Sequence, residues 1–169
     1  MTGIAGDMCA GEKLMDKNKK LCFAASSGGH LEQIMMLTPL MDKYQSFIVT
    51  EKTPYIPDFK GRRVLYLKQI NRREWKFPFL FLWNTAAAIK IMMKEKPDVI
   101  ISTGVLAVIP LCILGKMFGK KLVYIESFAK VTSPTISARI AYKFADRFYV
   151  QWETMLKVFP DAVFLGGIY

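Results

Sequence analysis

A serine–glycine turn followed at once by a histidine is the stretch of this chain best suited to chemistry. Residues 26–30 read Ser-Ser-Gly-Gly-His, and they separate the apolar run 21–25 from a helix-period pattern that begins at Leu31. Glycine has no Cβ, so the backbone at Gly28 and Gly29 can turn sharply and approach a ligand closely. The N–H groups at the start of the next helix then face outward and suit an anion such as a phosphate.

His30 is the residue of this turn that can move a proton near neutral pH. It is the only histidine in the sequence, and histidine is the only side chain whose unperturbed pKa lies close to 7. Two plainer interpretations stay open: the turn is only a tight connection, or the histidine only caps a helix. The turn lacks G-x-G-x-x-G spacing, so we discount a dinucleotide site with Glu51 as its ribose ligand.

Two further turns of small polar residues follow apolar runs, at 102–104 and 126–127, and the second contains the proton-transfer candidate Glu126. Strand and helix patterns alternate along the chain, which predicts an α/β fold, a Rossmann-like doubly wound parallel sheet. In such a sheet the carboxyl ends of the strands share one edge, where ligands bind. The predicted strands lie at 21–25, 46–50, 63–67, 99–101, 122–125 and 147–150, and the predicted helices include 30–40, 77–93, one ending near 118, and 132–144.

The length and composition indicate one domain with a basic and strongly apolar surface. The 169 residues allow a single domain over 19–169, preceded by a flexible leader at 1–18. Apolar residues make up 52% of the chain, and 24 Lys and Arg against 14 Asp and Glu give a net charge of +10. Such a chain suits an anionic membrane surface, a phosphorylated ligand or a nucleic acid.

The cysteines predict neither a metal site nor a redox motif. Cys9, Cys22 and Cys112 have no ligand-type spacing, and the last two lie in apolar runs typical of reduced core cysteines. Reduced cysteines favour a cytosolic compartment, and no cleavable signal is visible at the start of the chain. We expect no metal and no cofactor.

A basic and aromatic segment over 72–93 predicts attachment to a membrane. Its apolar part, 77–93, is shorter than the roughly 20 residues that a membrane-spanning helix needs, and it contains Pro78 and Lys90. Basic residues beside tryptophan and phenylalanine fit a helix that lies on the lipid surface. A buried helix preceded by a solvated basic loop stays open. The residues predicted to meet the membrane are Arg72, Arg73, Trp75, Lys76, Phe77, Phe79, Leu80, Phe81 and Trp83.

Five stretches of the sequence form a recognisable combination. They are Ala-Ser-Ser-Gly-Gly-His-Leu (25–31), Asp-Val-Ile-Ile-Ser-Thr-Gly (98–104), Gly-Lys-Lys-Leu-Val-Tyr-Ile-Glu-Ser-Phe-Ala (119–129), Ala-Asp (145–146) and Val-Gln-Trp-Glu (150–153). Together they resemble one protein family, and the resemblance spans residues 20–169. The family comprises the short bacterial exopolysaccharide and capsule glycosyltransferase subunits related to the membrane-recruiting subunit of the eukaryotic dolichol-linked N-acetylglucosaminyltransferase. It is similar to the N-terminal half of GT-B glycosyltransferases, such as the enzyme that completes the lipid-linked peptidoglycan precursor.

The resemblance implies that this chain is one half of an inverting glycosyltransferase. It would bind a polyprenyl-diphosphate-linked acceptor at the cytoplasmic face of the membrane, while a separate donor-binding subunit, the C-terminal half of the fold, brings the UDP-sugar. His30 would be the general base or a diphosphate ligand, and Glu126 the alternative base or an orienting group. The resemblance places the acceptor diphosphate among Ser26, Ser27, Gly28, Gly29, Thr103, Gly104 and Ser127, and the partner subunit against Trp152, Gly166, Gly167 and Tyr169.

Three other functions stay open from the sequence. A recruiting subunit without chemistry of its own would leave His30 with a structural role. Nucleic-acid binding through the charge of +10 is disfavoured, since the chain has no recognised nucleic-acid motif and its basic residues adjoin a long apolar run. A standalone nucleotide-dependent α/β oxidoreductase would need the glycine spacing that is missing.

Overall fold

The chain folds into a single parallel sheet, which confirms the predicted Rossmann-like α/β class. The computed structural model describes residues 18–54, 57–71 and 73–169, so nearly all of the predicted leader lies outside the described residues. The seven strands of the described chain follow the order β3-β2-β1-β4-β5-β6-β7. They are β1 (Lys20–Ala25), β2 (Gln45–Glu51), β3 (Val64–Leu67), β4 (Val99–Gly104), β5 (Lys121–Ile125), β6 (Arg147–Val150) and β7 (Val163–Phe164).

Five α-helices connect these strands within the described residues. They are α1 (Gly29–Met35), α2 (Thr38–Met41), α3 (Phe77–Glu95), α4 (Ile109–Met117) and α5 (Ile136–Ala141), with two 3₁₀ helices at Leu106–Val108 and Glu153–Lys157. The apolar cluster on one face of the sheet includes residues of α1 and α2, such as Leu31 and Met41. The cluster on the other face includes residues of α3 and α4, such as Met92 and Leu111. The central strands are therefore covered on both faces, as a parallel sheet requires.

The sheet has one point at which its strand order reverses. From β1 the chain moves outward through β2 to β3, and then returns to place β4 on the other side of β1. The connections at the carboxyl ends of β1 and β4 therefore leave in opposite directions, and the crevice between them is where such sheets bind ligands. The serine–glycine turn follows β1, so it lies at this crevice.

The predicted helix over 30–40 is two short helices, because Pro39 interrupts it. Pro39 has no backbone N–H to donate to the carbonyl of Met35, four residues earlier. The hydroxyl of Thr38 donates to that carbonyl instead, at 2.7 Å, and a new helix starts at this point. The helix predicted over 132–144 is likewise shorter. It begins after Thr135, whose hydroxyl accepts the N–H of Ala138 at 3.0 Å as an N-cap.

We expect Gly115→Ala to destabilise the fold, because α4 packs closely on β4 at this position. A Cβ on Gly115 would lie 2.2 Å from Cδ1 of Ile100, which is fully buried. Overpacking of this kind costs about 1–3 kcal/mol, which exceeds the helix propensity gained with alanine. Ile100→Val removes Cδ1, so the double variant should lose less stability than the sum of the single variants. Urea unfolding of the four proteins measures this, and strict additivity would contradict the packing.

Candidate active site

The three polar turns meet at one edge of the sheet. β1, β4 and β5 bring their carboxyl ends together through pairing of β4 with both neighbours, and the N–H of Ser26 donates to the carbonyl of Gly104 at 3.0 Å. A cavity of about 360 Å³ opens beside them. It is lined by Gly29, His30, Gln33, Ser127, Phe128, Ala129 and Tyr169. The fold therefore places the serine–glycine turn and the turn after β5 around one cavity.

His30 is held in one orientation by Thr103. Its Nδ1 lies 2.7 Å from the carbonyl oxygen of Thr103, and the Thr103 hydroxyl donates in return to the carbonyl of His30 at 2.8 Å. A carbonyl can only accept, so Nδ1 carries the hydrogen and Nε2 of the neutral ring is left with its lone pair. Burial lowers the pKa of His30, an effect partly offset by the hydrogen bond to Thr103. The ring is therefore neutral near pH 7 and can accept a proton at Nε2.

The two glycines are the part of the turn that is open to a ligand. Gly28 has φ of 77°, a backbone conformation that favours glycine, and a Cβ at Gly28 or Gly29 would meet no atom within 4 Å. The carbonyl of Gly28 accepts the N–H groups of Leu31 and Glu32, which starts α1. The N–H groups of the two glycines donate to no acceptor within the described parts of the chain. Both glycines are exposed, so two backbone donors directly before His30 in the chain are available to a ligand.

Ser26 and Ser27, also predicted to hold a phosphate, are engaged within the protein. Ser26 is buried and its N–H is bound to Gly104. The N–H and the hydroxyl of Ser27 both lie within hydrogen-bond distance of Oε2 of Glu51, at 3.3 and 3.4 Å. The other oxygen of Glu51 accepts the N–H of Ile70 at 3.1 Å. Glu51 therefore holds the serine–glycine turn in place. Its position at a strand end does not by itself distinguish this role from ribose binding.

Thr103, Gly104 and Ser127 are buried, and of these three only Ser127 lines the cavity. The Thr103 hydroxyl donates to the carbonyl of His30, and the N–H of Gly104 donates to the hydroxyl of Ser102 at 3.1 Å. A Cβ on Gly104 would lie 2.7 Å from the Tyr124 hydroxyl and 3.8 Å from Cε1 of His30. Thr103 and Gly104 therefore support the position of the histidine ring.

Glu126 is buried beneath the turn that follows β5. Its carboxylate accepts the N–H of Ser127 at 2.7 Å and the N–H of Thr135 at 3.1 Å, and the Thr135 hydroxyl donates to it as well. Burial raises the pKa of Glu126, while these hydrogen bonds oppose the shift. The carboxyl group therefore ties the turn to the N-terminus of α5, and His30 has the better access to the cavity.

The residues predicted to face a partner gather beside the same cavity. The indole N–H of Trp152 donates to the carbonyl of Phe128 at 2.6 Å, and the ring of Tyr169 meets that of Phe128 edge-on at 5.1 Å. A Cβ on Gly167 would lie 3.1 Å from the Phe128 ring, and Gly166 has φ of 95°. Leu165, which the sequence did not single out, is 80% exposed. An exposed apolar surface therefore borders the cavity wall.

The predicted membrane segment forms the exposed side of α3 and the residues before it. Exposed are Trp75 (78%), Phe79 (69%) and Trp83 (59%), whereas Phe77, Leu80 and Phe81 are half-buried. Lys76 and Arg73 are exposed as well, and Arg72 lies outside the described residues. Leu82 and Met93, which were not predicted, are also exposed. Phe79, Leu82, Ala86, Ile89 and Met93 follow one another at intervals of three and four residues and form one exposed stripe, which we call the α3 stripe.

Basic side chains accompany the α3 stripe. The ammonium group of Lys68 lies 3.9 Å from the ring centre of Trp83, and that of Lys76 lies 5.5 Å from the ring centre of Trp75. Within the described residues, no helix combines the length and the apolar character that crossing a bilayer demands. The arrangement is an apolar helix face with cations at its edge.

A larger cavity of about 810 Å³ lies on the other side of the turn. Its lining includes Ser27 and Gly28 together with apolar side chains, among them Leu31, Met35 and Phe59. Thr50 also lines it, and the buried hydroxyl of this residue has no hydrogen-bond partner in the described structure. A ligand at the two glycines therefore has a mostly apolar space on one side and the His30 cavity on the other.

Sequence comparison identifies relatives over most of the chain. The sequence model of the family described as "Oligosaccharide biosynthesis protein Alg14 like" matches residues 63–168. The chain is 31% identical to the UDP-N-acetylglucosamine transferase subunit alg14 of Schizosaccharomyces pombe, over 88% of this chain and 82% of that protein. It is 29% identical to a pyrophosphoryl-undecaprenol N-acetylglucosamine transferase of Clostridium perfringens, over 87% of this chain but only 43% of that protein.

Solved structures share the fold at low sequence identity. MurG of Acinetobacter baumannii superposes with a TM-score of 0.66 and 14% identity, over 78% of this chain and 41% of that one. The UDP-N-acetylglucosamine 2-epimerase of Rickettsia bellii superposes with a TM-score of 0.67 and 13% identity, over 89% of this chain and 45% of that one. The chain therefore spans less than half of these two proteins and has the fold of one of their domains.

We expect His30 to titrate below the ordinary histidine pKa of about 6.5, because its ring is partly removed from water. Between the lowered pKa and 6.5 the unfolded chain binds more protons than the folded one, so stability must fall as the pH falls through this window. His30 gives the only histidine ring signals, which makes NMR titration unambiguous. His30→Asn should lose this part of the pH dependence of unfolding. A pKa at or above the ordinary value would contradict the tethered, neutral ring.

Proposed function

The chain belongs to the Alg14-like family of oligosaccharide biosynthesis proteins, and from that premise we propose that it is the acceptor-binding, membrane-attached subunit of a two-chain UDP-N-acetylglucosamine transferase. The observation that carries this proposal is the tethered His30, whose Nε2 is unprotonated beside two free backbone donors of Gly28 and Gly29. A base and a small anion site side by side suit an acceptor that carries both a hydroxyl group and a phosphate.

In the proposed reaction the acceptor diphosphate binds at Gly28 and Gly29 and the acceptor hydroxyl reaches Nε2 of His30. The hydroxyl oxygen attacks the anomeric carbon of the donor sugar while its proton passes to Nε2. The new glycosidic bond forms as the bond from the anomeric carbon to UDP breaks, and UDP leaves with the electron pair. Attack on the face opposite the leaving group inverts that carbon. The imidazolium then returns its proton to solvent.

The proposal assigns the base to His30 rather than to Glu126. The Glu126 carboxylate is buried and accepts hydrogen bonds from Ser127 and Thr135. Moving it into the cavity would leave those backbone donors unpaired, at a cost of about 1–3 kcal/mol each. Glu126 is therefore proposed to shape the cavity by holding the turn after β5.

A donor-binding subunit completes the proposed site. Several relatives are named as subunits of a UDP-N-acetylglucosamine transferase, and the residues around His30 would form one wall of the proposed site. We place the partner against Trp152, Gly166, Gly167 and Tyr169, with exposed Leu165 at their centre. The partner would carry most of the UDP-sugar contacts.

A polyprenyl-diphosphate-linked sugar is the acceptor class that we propose. The name of the Clostridium relative includes pyrophosphoryl-undecaprenol, and the α3 stripe suits the surface of a bilayer. We propose that the chain attaches on the cytoplasmic side. Each basic residue near an anionic leaflet contributes about 1 kcal/mol to attachment. The capsule and exopolysaccharide setting gains no support from the relatives, so the proposal does not include it.

We expect transfer of N-acetylglucosamine only when this chain and a donor-binding subunit are combined. In that complex His30→Ala should lower kcat by about 10²- to 10⁴-fold, the usual contribution of a general base. His30→Asn is the matched variant, because its amide can still donate to the Thr103 carbonyl but cannot accept the proton. Lys43→Ala, an exposed change outside the cavity lining, should leave the rate unchanged.

Radiolabelled sugar transfer to a lipid acceptor measures these rates, and co-purification tests partner binding. Full activity of both His30 variants would mean that the chain recruits the acceptor without taking part in the chemistry. Efficient transfer by this chain without a partner would overturn the two-chain arrangement.

We expect the α3 stripe to carry the membrane attachment. Replacing Phe79 and Leu82 by serine removes two exposed apolar side chains, each able to contribute about 1.5–3 kcal/mol when fully buried, so binding to anionic vesicles should weaken at least about 10-fold. The matched control replaces Val131 and Ile136, also exposed, by serine and should bind normally. Vesicle sedimentation with duplex DNA as competitor measures both effects. Preferential binding to DNA would contradict a membrane role.

A further inference from the structure

Two buried glutamines link the cavity to the segment 165–169. Gln33 lies on α1, one turn after His30, and Gln151 follows β6. They are 3% and 4% exposed. Nε2 of Gln151 donates to Oε1 of Gln33 at 3.0 Å, across 118 residues of sequence. Gln33 also lines the cavity that contains His30.

The backbone around Gln151 determines which way its amide faces. Its Oε1 accepts the N–H of Ile168 at 3.0 Å, and its Nε2 donates to the carbonyl of Glu126 at 2.9 Å. An N–H can only donate and a carbonyl can only accept, so the amide cannot be reversed without losing both bonds. Gln151 therefore presents a hydrogen to Gln33 and not an oxygen.

The orientation of Gln151 in turn determines that of Gln33. Oε1 of Gln33 receives the hydrogen from Gln151 and a second one from the N–H of Phe128, at 3.3 Å. Both partners are donors, so the amide nitrogen of Gln33 must face away from them. That nitrogen donates to no acceptor in the described ranges. It is also not one of the fully buried side-chain polar atoms that lack a hydrogen-bond partner there, so it is not sealed off from solvent. The side chain therefore offers unused N–H donors at the wall of the His30 cavity.

We propose that Gln33 is an acceptor-binding residue, and that Gln151 is the positioning residue that turns the Gln33 amide nitrogen toward the substrate. This inference rests on the proposed function for the identity of the ligand. The ligand atom is an oxygen that accepts a hydrogen bond, on the sugar or the diphosphate of the acceptor, held beside the hydroxyl that His30 deprotonates. The hydrogen bond from the N–H of Ile168 to Gln151 connects the two glutamines to the surface proposed for the partner.

Gln33→Glu tests the binding role without removing the internal bonds. The carboxylate keeps one oxygen for the donors of Gln151 and Phe128 and replaces only the free amide nitrogen by an oxygen. In the complex with the donor subunit, the KM for the lipid acceptor should rise about 10-fold or more. The KM for the UDP-sugar should stay as in the wild type. Gln45→Glu, which adds the same charge at an exposed position at the start of β2, should change neither constant.

Gln151→Glu tests the positioning role. Its new oxygen would face both the oxygen of Gln33 and the carbonyl of Glu126, which are acceptors. The Gln33 amide should therefore reverse, give up the bond from the N–H of Phe128 and point its own oxygen into the cavity. We expect the KM for the acceptor to rise as in Gln33→Glu, with kcat within about twofold of the wild type. Thermal unfolding and circular dichroism confirm that each variant folds. A folded Gln151→Glu protein with unchanged acceptor KM would overturn the positioning role.

Direct binding separates this inference from the proposed function. The probe is farnesyl-diphosphate-linked N-acetylglucosamine, titrated into the isolated chain while the ring signals of His30 are followed by NMR. Weaker binding by Gln33→Glu, with Gln45→Glu like the wild type, supports the inference even if the complex transfers no sugar. Equal binding by a folded Gln33→Glu protein, or no binding by the wild type, overturns it.

Discussion

The paired hydrogen bonds between His30 and Thr103 are the interaction on which the candidate site depends. Each residue donates from its side chain to the carbonyl of the other, so neither can rotate without leaving a partly buried carbonyl unpaired. The pair joins the turn after β1 to the end of β4, the two strands between which the sheet order reverses. This contact, between residues 73 apart in sequence, thereby sets the orientation and the tautomer of the ring. Gly104 allows it, since a Cβ there would approach both the Tyr124 hydroxyl and His30.

Carboxylates at the strand ends shape this site by accepting hydrogen bonds from backbone N–H groups. Glu51 accepts those of Ser27 and Ile70, and Glu126 accepts those of Ser127 and Thr135. Turns at the edge of a sheet leave N–H groups that need acceptors when they are buried. A glutamate at the end of a neighbouring strand, as Glu51 is, or directly after the same strand, as Glu126 is, can reach them. The glycines between these supported turns are then free to face a ligand.

The fold separates the exposed surfaces of the molecule. The α3 stripe lies on a helix that covers one face of the sheet, whereas α1 with His30 covers the other. Both helices begin at the same edge, because each follows the carboxyl end of a parallel strand. A surface suited to lipid and a site suited to a phosphate can therefore share an edge without competing for the same residues. The segment 165–169 reaches this edge through Gln151, which connects it to α1.

The fold class, six of the seven described strands and the position of the polar turns could be read from the sequence, because they depend on local patterns. The two-residue strand β7 (Val163–Phe164) was not predicted. Apolar runs of four to six residues define buried strands, and glycine and serine mark the turns. Pro39 is the local signal that divides the predicted helix over 30–40. The site as predicted was a list of residue types at strand ends, which included His30, Glu126 and the residues around them. Those types are compatible with either a ligand or an internal contact.

Only the tertiary structure decided which of these residues face the cavity and which are engaged by other parts of the protein. Thr103 and Glu126 are polar residues at strand ends like any others, and their partners, His30 and Thr135, come from other elements. The Gln33 and Gln151 pair is 118 residues apart in sequence and follows no local pattern. Hydrogen-bond satisfaction depends on distances between elements, which the packing of the sheet determines. Sequence alone therefore indicated where the candidate site lies, and the fold assigned each polar group its partner.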